Sequence, residues 1–360
     1  MLAWVWLWLS STPLAAQVVT GQVVDAATAA PVGEGFVVLL DERGREVGRT
    51  LTPTDGRYLL NARASGRYRL RSERIGYVAF VSPPFTLDAG QTLTQQLTVS
   101  ALAVQLAVVE VTGRTTCRLE TEGAEGTAAV WEEVRKALAA AVWTERQRTY
   151  RYRTVAFVRE WDESRRELLA EVSDTLVGHA PAPFASVPAA ELASHGYIVA
   201  AAESIAYYGP DGVVLQDSSF LESHCFGLAR RSQHGVGQIG LSFRPEPGRH
   251  LPDVRGVLWL DEASAELRAL EFSYTEVPEG VRDGRIGGTV EFLRLPSGAW
   301  IIRRWELRMP QLAAQNISVY GGVTERRVTV KGFRDHGGEV LEIHALDGGG
   351  RRIYPPSPLE

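Results

Sequence analysis

From Gln17 to about residue 349 the chain runs in short segments whose apolar residues recur at every second position, each closed by a turn rich in Gly, Asp or Ser. A period of two belongs to the β-strand, and such strands bury one side only by pairing into sheets. The pattern gives way to a helical period once. Val130, Val134, Leu138 and Val142 fall on one helical face with Trp131 beside them, Thr127 as the expected N-cap, and Glu132, Glu133, Arg135 and Lys136 opposite. The fold class that follows is mainly β, in two parts: a β-sandwich, then an α+β domain with one helix on a large antiparallel sheet.

The chain has 360 residues, 45% of them hydrophobic, and a net charge of −5. That is enough for two cored domains, and it lacks the basic excess of a nucleic-acid binder. The alternating Arg151, Tyr152 and Arg153 therefore read as a half-buried strand and not as an RNA-binding stripe. Met1 to Ala16 is uncharged and apolar, broken by Pro13, and ends in small residues. This predicts a secretory signal peptide, although no Lys or Arg precedes it. Beyond it no apolar run is long enough for a transmembrane helix, so no membrane-spanning segment is expected in the mature chain.

The predicted divisions are 1–16 signal peptide, 17–100 sandwich, 101–126 junction strand and linker, 127–349 helix and antiparallel meander, and 350–360 tail. Within the sandwich, Val18–Val24, Gly35–Asp41, Glu46–Leu51, Arg57–Leu60, Gly66–Leu70 and Leu93–Val99 are the expected strands. Gly56, after Thr54 and Asp55, is expected to supply a positive φ. Gly21 to Asp25, Pro31-Val32, Thr54 to Tyr58, Gly66 to Tyr68 and Ile75 to Tyr77 resemble the carboxypeptidase-regulatory-like domain. That resemblance implies a transthyretin-like, carbohydrate-binding-like sandwich found in exported bacterial proteins, including extensions of outer-membrane receptors. The matched positions are turn glycines and core tyrosines, so they imply a fold and no chemistry. Where the family has Thr-Gly before Pro31, this chain has Ala29-Ala30, so its first turn must differ. Val104 to Gly113 resembles the stretch that follows the module in those receptors. It is expected to be a linker strand within the protein, or else to add to a partner's sheet edge.

In the second part, Arg148–Glu160 pairs with Arg166–Leu176, and the Pro-bearing run His179 to Glu191 reads as a long loop, with Tyr207 to Gly212 a second turn-rich segment. Three hairpins are expected after that: Arg255–Leu260 with Glu266–Thr275, Gly288–Leu295 with Ala299–Met309, and Arg326–Phe333 with Glu339–Ala345, the last turning at Gly337-Gly338. The Gly-x-Leu-Trp-x-Asp strand at Gly256 to Asp261, the helix order and the Trp-bearing strand after Gly298 resemble the half-barrel of LolA-like lipoprotein carriers. That resemblance implies an apolar concave face with Trp259, Phe272, Phe292, Trp300 and Trp305 as ligand-lining candidates. The competing reading is that they are ordinary core beneath the helix.

Cys225 adjoins His224, but neighbours on a strand point to opposite faces, so the imidazole is poorly placed to activate the thiol. A Cys117–Cys225 disulfide suits an exported chain better, with free buried thiols the alternative. His336, Glu339 and His344 have the residue types of a zinc site but no further domain to complete it. Ser242, His250 and Asp253 are close only in sequence. No catalytic residue, metal site or cofactor is expected. The functional expectation is a non-enzymatic envelope protein of a Gram-negative-type bacterium, in the periplasm or at the surface, with a protein, glycan or lipid partner and no nucleic acid. The alternatives are a periplasmic carrier of an apolar ligand, and a hydrolase near His224 and Cys225.

Overall fold

The computed structural model describes residues 17–101, 115–117, 125–179, 186–200, 205–233, 236–277, 281, 285–319, 323–346 and 349–355. The expected signal peptide and the Val104 to Gly113 segment lie outside them. The chain divides into two units, residues 1–102 and 103–360.

The first unit is a sandwich of two sheets. β1 (Gln17–Asp25), β4 (Arg57–Ala62), β8 (Thr92–Thr94) and β9 (Leu97–Val99) form one, with β1 central. β2 (Phe36–Asp41), β3 (Glu46–Leu51), β5 (Gly66–Glu73), β6 (Phe80–Val81) and β7 (Phe85–Leu87) form the other. β4 alternates strictly, with Tyr58, Leu60 and Ala62 buried and Arg57, Leu59 and Asn61 exposed. Val19, Val23, Val37, Leu39, Leu70, Leu87 and Leu97 complete the core. The two core tyrosines spend their hydroxyls on backbone: Tyr68 donates to Ala64 O at 2.7 Å and Tyr58 donates to Gln95 O. The Gln95 carbonyl stands 1.8 Å from where a side chain on Gly21 would begin. That approach, open only to glycine, splits the expected Leu93–Val99 strand into β8 and β9. The divergent first turn also has its answer. Ala29 takes the left-handed conformation (φ 56°), while Asp25 Oδ1 accepts from Ala27 N, Thr28 N and Thr28 Oγ1 at 2.9–3.0 Å. The left-handed backbone costs about 1–2 kcal/mol in a residue other than glycine, offset by this bracket of hydrogen bonds.

The second unit is built on one open sheet of eleven strands. They are β10 (Thr115–Thr116), β11 (Tyr150–Asp162), β12 (Leu168–Gly178), β15 (His224–Gln233), β16 (Val236–Pro245), β17 (Asp253–Asp261), β18 (Leu267–Thr275), β19 (Gly287–Arg294), β20 (Trp300–Val319), β21 (Val323–Ala345) and β22 (Arg352–Tyr354). From edge to edge the order is β10-β15-β16-β17-β18-β19-β20-β21-β11-β12, with β22 added on β21. The helix α1 (Glu125–Gln147) lies on one face, against β15, β16, β18 and β20. Short elements are interposed before β15: α2 (Ala189–His195), the β13–β14 pair (Ile198–Ala200, Ile205–Tyr207) and α3 (Ser218–Ser223).

Several expectations change. Thr127 is not the N-cap but a buried residue inside α1. The expected loop to Glu191 ends earlier, because Ala189 opens α2 behind Pro188. Glu133 and Lys136 are not solvent-facing; both are buried, with Lys136 Nζ 2.6 Å from Glu133 Oε1. The last hairpin does not exist as predicted, since β21 runs unbroken through Gly337 and Gly338. It pairs with β20 on one side, from Arg304↔Glu339 to Val319↔Val323, and with β11 on the other. The two glycines are slots for rings: a Cβ on Gly338 would lie 2.3 Å from Trp305 Cζ2, and one on Gly337 2.3 Å from Phe157 Cζ. Gly338→Ala is therefore expected to destabilise by about 1–3 kcal/mol through overpacking. Chemical denaturation checks this, and the penalty should shrink when Trp305 is shortened to Leu.

Candidate functional site

Between the C-terminal half of α1 and the sheet lies a cavity of about 440 Å³, within the roughly 300–1,000 Å³ of small-molecule sites. Its origin can be followed along α1. In the first turns Val130, Val134 and Leu138 are wholly buried on the sheet. The next turn is Ala139-Ala140-Ala141, and side chains that end at Cβ leave space between helix and sheet that larger ones would fill. Ala141 and Val142 roof the cavity, and Leu270, Val290, Phe292, Trp300 and Ile302 of β18 to β20 floor it. A bulge where the β19–β20 register shifts, between Glu291 and Phe292, falls in this floor and re-aims side chains there. Pro210, Val213 and Leu215 close one side. That loop is held by Asp211, whose Oδ1 accepts from Val213 N at 2.9 Å and Val214 N at 2.8 Å.

The polar lining residues are Thr144, Glu145, Arg146, Arg148, Tyr152 and Asp211. Burial and the neighbouring Asp211 carboxylate push the Glu145 carboxyl above its usual range, against a smaller opposing pull from Arg146. Burial likewise raises the Tyr152 phenol, which is 3% exposed. Such a wall suits a largely apolar body.

Of the five aromatic candidates, Phe292 and Trp300 line the cavity and the other three do not. Trp259 pairs opposite Ala269 while its neighbour Leu258 pairs opposite Leu270, so Trp259 lies on the face away from the cavity. There its Nε1 donates to Glu271 Oε2 at 3.2 Å, with the Arg231 guanidinium 4.0 Å above the ring. Phe272 covers Gly288 and packs on Tyr274, and Trp305 covers Gly338. Sequence reasoning passed over Ala141 and gave Val142 and Tyr152 only packing roles; the alanine run within an otherwise bulky helical stripe was the available signal.

The His224 region is buried, and its polar groups are bonded to one another. Cys225 is joined to Cys117 in a disulfide and is fully buried. His224 Nδ1 lies 3.0 Å from Phe220 O, and Nε2 lies 3.2 Å from both Val254 O and Asp253 Oδ1. Ser223 Oγ also lies 3.1 Å from His224 Nδ1, and its hydroxyl donates to Ser219 O at 2.7 Å; His224 and Asp253 are 1% and 0% exposed, so this row is closed to a substrate. Asp253 also pairs with Arg249, and the cluster ties α3 to β17. Asp253 does not meet Ser242 in a triad. His336 and His344 sit on the extended β21, and among the described residues no group of three or more His, Cys, Asp and Glu side chains is placed to hold a metal. No described helix is long and apolar enough to cross a membrane.

Comparison with known proteins gives unequal results for the two units. No curated protein matches the chain. Solved structures that align with it include the minor pilin GBS52 of Streptococcus agalactiae, at 14% identity over 24% of this chain and 45% of that one, TM-score 0.21. Others are a DUF3823 family protein of Bacteroides ovatus (9% identity, 63% and 91%, TM-score 0.20) and BcpA, the major pilin subunit of Bacillus cereus (9%, 89% and 95%, TM-score 0.21). The chain thus spans less than half of the GBS52 pilin, and at such TM-scores these likenesses carry no argument about role. The N-terminal unit is different: residues 18–100, with their paired sheets, turn glycines and backbone-bonded core tyrosines, match the family model of the carboxypeptidase regulatory-like domain.

Proposed function

We propose that this chain is an exported, non-enzymatic binding protein of a Gram-negative-type cell envelope, and that its second unit holds a small, largely apolar ligand in the cavity under α1. The observation that carries the reading is the cavity wall: carbon on roof, floor and one side, with the polar groups contributed mainly by the last turn of α1, Arg148, Tyr152 and Asp211. The Cys117–Cys225 disulfide supports an oxidising compartment, and the apolar leader supports export. The N-terminal unit is read as a docking module, since its characteristic residues are spent on its own turns and core.

The test is binding of a neutral apolar dye, N-phenyl-1-naphthylamine, to the full-length oxidised protein, with mass spectrometry of small molecules that co-purify. The dye is expected to bind with enhanced fluorescence. Ala141→Phe, which fills the roof, should weaken binding at least tenfold while leaving the thermal midpoint unchanged or higher. Absence of both dye binding and co-purified ligand, or dye binding indifferent to Ala141→Phe, would overturn this assignment.

A further inference from the structure

β12 is the outermost strand of the large sheet, and among the described residues it pairs on one side only, with β11. Ten of its eleven residues are exposed, among them Leu168, Leu169, Val172, Leu176 and Val177 at 43–71%. An edge strand turns a row of backbone N–H and C=O groups outward, and proteins usually blunt such edges with Lys, Pro or a bulge within the strand. β12 contains no Lys, Arg or Pro, and the one register shift against β11 lies at its end, beside Leu168. Long, largely apolar and carrying only Glu171 and Asp174 as charges, this edge has the properties of a strand that is covered in use.

We propose that its cover is a second copy of the chain: β12 pairs antiparallel with β12 of the partner about a two-fold axis at Val172, joining two sheets into one. The sequence LLAEVSDTLVG is self-complementary in that register. Val172 meets the partner's Val172, and Leu168 meets the partner's Leu176 on both sides of the axis, so the three largest side chains of one face form direct cross-strand pairs. The acids fit as well. Glu171 falls opposite the partner's Ser173 and is already neutralised by Arg159 at 3.1 Å. Asp174 falls opposite the partner's Ala170, four residues from its symmetry mate. At about 3.4 Å per residue the two carboxylates are then roughly 14 Å apart, beyond the Debye length of about 10 Å at 0.1 M salt. Moving the axis to Ser173 halves that separation and sets Val172 against aspartate. Moving it to Asp174 puts the two carboxylates face to face. The closed, isologous character of the contact also ends growth at two copies.

The test uses the full-length oxidised protein. Because Cys117 and Cys225 are bonded to one another, a cysteine placed in β12 is a solitary thiol. Analytical ultracentrifugation is expected to show a dimer, and Val172→Cys should cross-link it under mild oxidation at least tenfold more efficiently than Asp174→Cys. Val172→Lys, which sets two ammonium groups opposite each other, should dissociate the dimer while its circular dichroism and thermal midpoint stay as in the parent protein. A monomer at about 100 μM, a dimer insensitive to Val172→Lys, or equal cross-linking from positions 172 and 174 would overturn the proposal.

Discussion

Replacing Cys117 and Cys225 together by Ala is expected to lower the stability of the second unit by about 4–5 kcal/mol. The bond joins residues 108 apart in sequence, and in the chain-entropy account a loop of that length restricts the unfolded state by about this amount. On the folded side little else holds the ends. β10 has two residues, paired with Phe226 and Gly227 of β15, and so short an edge strand contributes little alone. Between the cysteines lie α1, β11, β12 and the whole insertion before β15, so freeing the N-terminal end lets a large part of the unit sample open states. Urea denaturation of the oxidised parent and the double variant measures the difference directly. For a unit of this size, a loss of this order corresponds to a drop of roughly 10–20 °C in the thermal midpoint. A loss below about 1 kcal/mol would mean that the unfolded chain is already confined by other means.

What the sequence disclosed and what it hid separate along a physical line. Local geometry was readable: the buried and exposed alternation of β4, the turn at Gly56 with its φ of 71°, and the α1 stripe of Val130, Val134 and Leu138. Each of these depends on neighbours within a few residues. The failures depend on what crosses from another strand. Gly337-Gly338 reads as a turn, because a glycine needed for backbone freedom and one needed beneath an aromatic ring look alike until the register places Phe157 and Trp305 over them. Trp259 and Phe292 were equal candidates because alternation tells which residues share a face, but not which face the helix covers. The cavity was harder still, being defined by side chains that are short. β12 inverts the usual rule: its leucines and valines suggest burial, yet they are exposed, and only their symmetry about Val172 suggests what would cover them.

Lys136→Met is expected to cost about 3–5 kcal/mol, because it removes the ammonium 2.6 Å from the buried Glu133 carboxylate. α1 supplies its own control. Arg135 and Glu132 have the same three-residue spacing and nearly the same separation, 2.7 Å against 2.6 Å for Lys136 and Glu133. The pairs differ in exposure: the side chains of Arg135 and Glu132 are 26% and 37% exposed, those of Lys136 and Glu133 3% and 1%. Where water reaches both partners, the attraction is largely matched by hydration, and Arg135→Ala should cost no more than about 1 kcal/mol. Where it does not, the loss of a close opposite charge is little compensated by hydration. Lys136→Met combined with Glu133→Leu removes both charges and retains apolar volume, so it should cost less than Lys136→Met alone, with the double-mutant cycle showing strong non-additivity. Denaturant melts of the four proteins decide the matter. Equal small losses from Arg135→Ala and Lys136→Met would show that helix spacing, and not burial, sets the strength of these pairs.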